Sequence, residues 1–400
     1  MCAWSSTSLA RALDPSAAQH HQHAHSMHAH STLSTGHQPL QQRQQAMPQS
    51  ILGLDIGSAS IKIAQIARHD DGTFTVERQA ARPVPRGAIY DGHIDEKERL
   101  RVAQILADMV AEEKFSTRDV IFGLNSSASV FMDQMDIPVM DPADLDKAMP
   151  YLIEASQDGL NSHENGFSWS VVGEVETDHG PRLRVLVYRC FEQYAEETAR
   201  VVEKAGLRVV GTDLNALAAL RAISIQTRPL REVDAIVDIG ANVLSLMLHH
   251  NGVPKTLTLD ADNAGEVATQ QVLEAMDLDE GQEDHAEFLK INDDHAFGIV
   301  AQARNAYTAS LASRIAGVLR SAVERSDDID AIASVTLVGG GALIAGLGHG
   351  LHEALGGVPL AFAAWDPAIT DPQGGSPIRQ EPRSGGDYLV AVGLGTGDVF

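Results

Sequence analysis

Basic residues are scarce in this chain. Of 400 residues, 30 are Lys or Arg and 54 are Asp or Glu, giving a formal charge of −24. Such an acidic surface repels phosphate backbones and anionic headgroups. It excludes a nucleic-acid binder and a protein held to membranes by charge. Cysteine is nearly absent, with only Cys2 and Cys190. No disulfide framework can form from these two, which fits a reducing cytoplasm. No stretch approaches eighteen consecutive apolar residues, so no membrane-spanning helix is expected. The amino terminus lacks the apolar stretch of a secretory signal. What remains is 44% hydrophobic and 21% charged, the balance of a soluble globular protein. The length suffices for two domains or more.

Composition changes sharply along the chain. Residues 1–50 crowd His20, His21, His23, His25, His28, His30 and His37 into one tract, followed by Gln41, Gln42, Gln44 and Gln45. With little apolar material to bury, this segment reads as a disordered tail. Its imidazoles are able to take up a metal opportunistically, and Met47 is an alternative start. From Ile51 the pattern becomes that of a fold. A strand–turn–strand unit covers 51–66, a third strand 74–80 and a loop 82–92. A helix is predicted over 95–114, its apolar face being Leu100, Val102, Ile105, Leu106, Met109 and Val110. Strands at 119–124 and 130–137 follow. Residues 140–207 then read as a compact insertion: helix 142–155, strands 167–175 and 182–188, and helix 193–205 closed by Gly206. Beyond it come a strand at 207–210, Asp213 opening a helix over 214–225, and a second hairpin from 235. Further helices are predicted at 262–276, 286–290 and 302–326, then a strand at 335–338, a helix at 342–355 and a last apolar segment at 389–393.

Two near-identical motifs carry the functional signal: Gly-Leu-Asp-Ile-Gly-Ser at 53–58 and Val-Asp-Ile-Gly-Ala-Asn at 237–242. Each reads as strand, tight turn, strand. The free N–H groups of such a turn converge on one concavity and favour an anion. An Asp ahead of the turn cannot bind phosphate, but it can hold magnesium, directly or through water, which then bridges to phosphate oxygens. One Asp-x-Gly is commonly a plain hairpin. Two copies suggest a duplicated architecture, and two facing hairpins would clamp a nucleoside triphosphate. A third motif at 335–344 is a strand running into Gly339, Gly340 and Gly341 at a helix start. Glycines let a flat group approach the backbone, and a helix N-terminus adds a positive field. No Gly-Lys-Ser/Thr follows, so this is not a Walker loop.

In this order the three motifs resemble the phosphate-1, phosphate-2 and adenosine motifs of the actin-like ATPase superfamily. Residues 53–62, 237–242 and 337–347, together with 135–138, further resemble the PilM family of type IV pilus assembly over about 47–392. The resemblance implies an α/β actin-like ATPase fold: two ribonuclease-H-like subdomains around a nucleotide cleft, with a small α+β inserted domain. It divides the chain into 51–139 plus 207–232 (subdomain 1A), 140–206 (inserted domain 1C), 233–261 plus 332–400 (2A) and 262–331 (2B). It implies ATP and Mg2+ as cofactors, with Asp55 and Asp238 near the metal. The backbone of Gly57, Ser58, Gly240, Ala241 and Asn242 would meet phosphates. Gly339, Gly340, Gly341 and Ala342 would line the adenosine, and Glu287 and Lys290 would lie by the ribose and base. Asp213 falls where a water-positioning, catalytic residue can lie.

Plainer readings stand beside these. Glu287 and Lys290 also fit a surface i,i+3 pair, Asp213 a helix N-cap and Lys62 an exposed strand residue. The chain departs from the family at Asp262-Asn263-Ala264-Gly265, where a Gly-Gly turn is usual, and 277–284 is acidic beside the proposed cleft. The implied function is a cytoplasmic, ATP-binding scaffold that binds the cytoplasmic N-terminus of PilN in a groove between 1A and the insertion. It would link the inner-membrane subcomplex to the pilus motor, reach the membrane only through partners, contact no nucleic acid and be able to form homo-oligomers. Turnover of ATP is expected to be slow or absent, because no side chain stands out as a strong general base. Three rivals compete. An FtsA-like division protein needs a basic amphipathic C-terminal helix, unlike Gly-Leu-Gly-Thr-Gly-Asp-Val-Phe. A sugar kinase needs a substrate base, for which Asp213 is the candidate. A secretion-system relative of the GspL type would add a transmembrane segment.

Overall fold

The computed structural model describes residues 50–70, 73–156, 165–226, 233–277, 282–292, 295, 297–326, 329–363, 365 and 388–397. The His- and Gln-rich tract, Met47 and part of the acidic stretch at 277–284 lie outside the described residues. The first half begins with strands β1 (Ser50–Ile56), β2 (Ser60–Arg68) and β3 (Phe74–Pro83). It continues with a small hairpin of β4 (Ile89–Tyr90) and β5 (His93–Ile94), helix α1 (Arg99–Glu112) and β6 (Asp119–Leu124). Then come β7 (Val130–Pro138), α2 (Pro142–Ala155), β8 (Asn165–Thr177), β9 (Gly180–Phe191), α3 (Glu192–Lys204), β10 (Arg208–Leu214) and α4 (Asn215–Gln226). The second half holds β11 (Val233–Ile239), β12 (Leu244–His250), β13 (Val253–Asp260), α5 (Gly265–Met276), α6 (Glu283–Ile291) and α7 (Gly298–Glu324). It is followed by β14 (Ser334–Val338), α8 (Leu347–Ala354), β15 (Leu360–Phe362) and α9 (Leu389–Gly395).

Two sheets share one plan. The first runs β3-β2-β1-β6-β10 and the second β13-β12-β11-β14-β15. In both, three antiparallel strands are followed by two parallel ones. The duplication read from the Asp-Ile-Gly motifs is therefore one of whole sheets. All six residues of β6 and five in a row of β1 are buried, as befits parallel-sheet strands covered on both faces.

Four sequence expectations are corrected. The loop at 82–92 contains the β4–β5 hairpin, whose turn residues Asp91 and Gly92 have φ of 46° and 76°. Asp-Gly is a strong two-residue hairpin signal. The inserted unit starts earlier than 140. β7 joins the sheet β7-β9-β8, and Ile137 shares a core with Leu145, Met149 and Ile153 of α2 and Leu183, Val185 and Val187 of β9. Tyr194, Val201 and Val202 of α3 instead bury in the first half's core. The helix expected over 342–355 is broken: a 3-10 turn, Gly340–Leu343, precedes α8, with Gly346 at φ 81° between them.

The fourth correction concerns α9, which returns to the first half rather than staying with 332–400. Leu389, Ala391, Val392 and Leu394 are buried with β1 and β2. Glycines make the approach possible. A Cβ on Gly53 would stand 1.9 Å from Ala391 O, and one on Gly393 would stand 1.9 Å from Ala218 O. Gly53, read as part of a phosphate motif, thus serves helix docking.

Candidate functional site

The two Asp-Ile-Gly turns open onto one cavity of about 320 Å³ between the sheets. They are bonded alike: Gly57 N–H donates to Ser60 O at 3.1 Å, and Gly240 N–H to Val243 O at 3.0 Å. Asp55 lies opposite Lys62 in its hairpin, as Asp238 lies opposite Ser245.

On the first wall, Asp55 is buried and accepts from Asn215 Nδ2 at 3.1 Å and Lys62 Nζ at 3.4 Å. Directly opposed residues point to one face of the sheet, so Lys62 lines the cavity with Asp55, Gly57 and Ser58. The reading of Lys62 as an exposed strand residue is therefore corrected. Asn215, at the start of α4, went unnoticed in the sequence. It fits because position 123 has no side chain: a Cβ there would sit 1.8 Å from Asn215 Oδ1. The signal was available, since a Gly inside a buried strand marks a close approach.

Asp213 stands apart from these residues. It does not line the cavity. Its Oδ2 accepts from Arg221 Nη2 at 2.6 Å, and its Oδ1 from the adjacent Leu214 N–H at 2.7 Å. Arg221 also donates to Gly393 O at 2.6 Å. This ion pair therefore ties Asp213 to the helix contact that anchors α9.

The second wall is made by Asp238, Gly240, Ala241 and the turn of Gly339, Gly340, Gly341 and Ala342. Gly339 has φ 83°, and a Cβ there would stand 2.4 Å from Asp238 Oδ1. A Cβ on Gly341 would stand 2.2 Å from Ile239 Cγ2. At Gly340 nothing lies within 4 Å of such a Cβ, leaving room for a flat group. Asn242 does not line the cavity; its Nδ2 crosses to Ile89 O at 2.9 Å.

The departure at 262–265 is resolved by Gly265. Its N–H donates to Gly240 O at 2.9 Å, and Glu266 N–H donates to Ala241 O at 2.8 Å. The start of α5 is thereby sewn to the second turn. Ala264 is buried, and its carbonyl accepts from Tyr307 Oη at 2.7 Å.

Glu287 and Lys290 are no surface pair. Lys290 is 4% exposed. Its Nζ lies 2.6 Å from Glu287 Oε2 and donates to Thr269 Oγ1 at 3.0 Å and to Gly265 O at 3.3 Å. Thr269 Oγ1 donates in turn to Glu287 Oε2 at 2.8 Å. Three partners offset part of the cost of taking this ammonium out of water, and they pin α6 to α5. Glu287 and Lys290 both line the cavity, and Thr269 joins them although no motif marks it.

Three carboxylates (Asp55, Asp238, Glu287) face two ammonium groups (Lys62, Lys290) around this space. A polyphosphate entering it therefore needs a cation beside it. Among the described residues no cluster of three His, Cys, Asp or Glu could hold a metal unaided. Asp55 and Asp238 are carboxylate donors of the kind a hard cation takes, directly or through water.

The family model of type IV pilus assembly protein PilM matches residues 53–395. Among solved structures, the chain is similar to a PilM-PilN type IV pilus biogenesis complex. Identity is 22% and the TM-score 0.68, covering 86% of this chain and 97% of that chain. It is also similar to ethanolamine utilization protein EutJ from Carboxydothermus hydrogenoformans. There identity is 14% and the TM-score 0.51, covering 88% of this chain and 90% of that one. The fold is that of the actin-like ATPases.

Proposed function

The chain belongs to the family of type IV pilus assembly protein PilM, and from that premise we propose that it is a nucleotide-binding scaffold of the pilus machine. One observation carries the nucleotide reading: turns from two separate sheets, each preceded by an Asp, open with a triple-glycine turn onto a single cavity. ATP with Mg2+ is the ligand we assign. The phosphates would meet the turns at Gly57 and Gly240, with Lys62 as their cation and Asp55 and Asp238 holding the metal. The base would lie against Gly339, Gly340, Gly341 and Ala342, with Glu287 on the ribose side.

The partner we assign is the cytoplasmic N-terminus of a PilN protein. Similarity to a PilM-PilN complex supports this choice. The groove between the first half and the inserted unit is the site we assign to it, and the partner would bring the chain to the inner membrane from the cytoplasm. Nucleotide would set the angle between the halves, and partner affinity would follow it. We expect slow hydrolysis or none, because the candidate water-positioning residue, Asp213, is engaged by Arg221. The same ion pair leaves a kinase reading without its substrate base.

Two measurements test the proposal. Calorimetric titration with Mg-ATP is expected to show binding in the wild type and loss of it in Asp55→Ala/Asp238→Ala. Tight binding by the double variant would overturn the site. A synthetic PilN N-terminal peptide is expected to co-purify with the chain. Its absence both with and without Mg-ATP would overturn the partner.

A further inference from the structure

Four parts of the molecule meet at the small β4–β5 hairpin. Its Asp91-Gly92 turn has two successive positive φ angles, the type I′ shape. Gly92 lines the cavity, and a Cβ there would stand 2.3 Å from Asn125 O and 2.5 Å from Tyr194 Oη. Buried Asp91 accepts from Ser126 Oγ at 3.1 Å, Ser127 N–H at 2.6 Å and Ala128 N–H at 3.0 Å. His93 Nε2 lies 3.0 Å from Ser129 Oγ and 3.3 Å from Ser126 Oγ. The His93 ring packs on Tyr194 with centroids 4.5 Å apart. Tyr194 Oη accepts from Asn125 N–H at 3.2 Å.

These partners are the two crossings into the inserted unit. Residues 126–129 lead the chain out, since β7 starts at Val130. Tyr194 stands in the first turn of α3, just after β9 has brought the chain back. Phe191 N–H donates to Ser129 O at 3.0 Å, tying exit to return. On its other side the hairpin region touches the second half. Ile89 O accepts from Asn242 of the second phosphate turn. Arg86 Nε donates to Glu266 at 2.7 Å, and the N–H of Glu266 is bound to that same turn.

We infer that the Asp91-Gly92 hairpin couples the state of the cleft to the inserted unit. A bound phosphate group would grip the 240–242 turn, and any displacement of that turn pulls on Ile89 and Arg86. The hairpin has little slack. Its turn is tight, and its buried carboxylate is held by three donors, so the motion passes to 126–129 and Tyr194 instead of being absorbed. This rests on the nucleotide reading of the cavity.

Hydrogen exchange of the full chain, with and without Mg-ATP, tests the coupling, beside a separate titration with a fluorescent ATP analogue. The variants are Ser129→Ala and Tyr194→Phe, which line no part of the cavity. Tyr194→Phe keeps the ring on His93 and removes one hydroxyl, so it keeps the test valid if Ser129→Ala folds poorly. In the wild type, Mg-ATP is expected to slow exchange at 126–130 and around Tyr194 about tenfold. In the variants the analogue is expected to bind within about threefold of wild type, while the slowing falls below about twofold. An analogue that does not bind the wild type overturns the nucleotide reading itself. Binding without slowing in the wild type, or equal slowing in the variants, overturns the coupling and leaves that reading intact.

Discussion

Asn215 reaches Asp55 only because position 123 carries no side chain. In Gly123→Ala the new methyl carbon would stand 1.8 Å from Asn215 Oδ1, so the amide must leave its place beside Asp55. Overpacking of this kind costs about 1–3 kcal/mol. Gly123→Ala is expected to lower the unfolding midpoint and weaken Mg-ATP binding. Adding Asn215→Ala removes the clash, so the double variant is expected to be more stable than Gly123→Ala alone. Chemical denaturation of the three proteins checks this, and a double variant no more stable than Gly123→Ala would refute the steric account. His249 of β12 supplies a second test. It is 1% exposed, and its Nδ1 has no partner among the described residues. Burial brings its pKa down to about 4; neighbouring His250 pushes the same way and Asp234 opposes. The folded pKa lies below the ordinary value of about 6.5, so the unfolded chain takes the proton first. The stability at stake is whole above about pH 6.5 and is lost as pH falls toward 4, at up to about 1.4 kcal/mol per pH unit. His249→Leu is expected to flatten this slope in urea unfolding between pH 6.5 and 5, and an unchanged slope would clear His249 of the role.

Elements whose signal is local were legible, and those defined by distant contacts were not. The hairpin turns at Gly57 and Gly240 announce themselves by glycine between alternating apolar strands, and the inserted helix Pro142–Ala155 by its period. The place of Lys62 opposite Asp55 depends on hairpin register, which the three-residue loop at 57–59 leaves open in the sequence. Asp213 and Asn215 are two positions apart. Which of them meets Asp55 depends on where β10 ends and α4 begins, a boundary the sequence leaves soft. The apolar segment that becomes α9 would suit either core, and what selects the first is glycine at each close approach, Gly53 far away in sequence and Gly393 within α9 itself. That reasoning yields a prediction. Gly393→Ala would press a methyl group to 1.9 Å from Ala218 O, and a backbone carbonyl inside α4 cannot rotate away. The variant is expected to be destabilised by about 1–3 kcal/mol or more. Gly317→Ala, within α7, meets nothing within 4 Å and is expected to stabilise by about 0.5–1 kcal/mol. Thermal unfolding of the pair separates a docking glycine from an idle one, and equal midpoints would refute the assignment.

The two halves are joined differently at different places. Ile236, Met247, Val338, Ala363 and Trp365 of the second half belong to the same apolar core as β1, β6 and α4 of the first. Apolar packing of this extent resists separation. Elsewhere the link is polar: Asn242 to Ile89 O, and Arg86 to Glu266, whose side chains are 42% and 34% exposed. Opening of the cleft would therefore break the polar links and leave the apolar one as pivot. An exposed ion pair is worth about 0–1 kcal/mol, so its loss can alter nucleotide release by no more than about fivefold. Arg86→Glu loses the pair and sets two carboxylates side by side, so it is expected to speed release of a fluorescent ATP analogue by about five- to tenfold, read by stopped-flow competition at low salt. Glu266→Arg added to it is expected to restore the slower rate by rebuilding the pair with reversed polarity. Raised ionic strength should narrow the gap between Arg86→Glu and wild type, because exposed charges are screened over about 10 Å at 0.1 M salt. A release rate indifferent to Arg86→Glu at low salt would show that this pair does not hold the halves together. An increase of about a hundredfold would exceed what an exposed pair can give and would point to loss of the hairpin's packing instead.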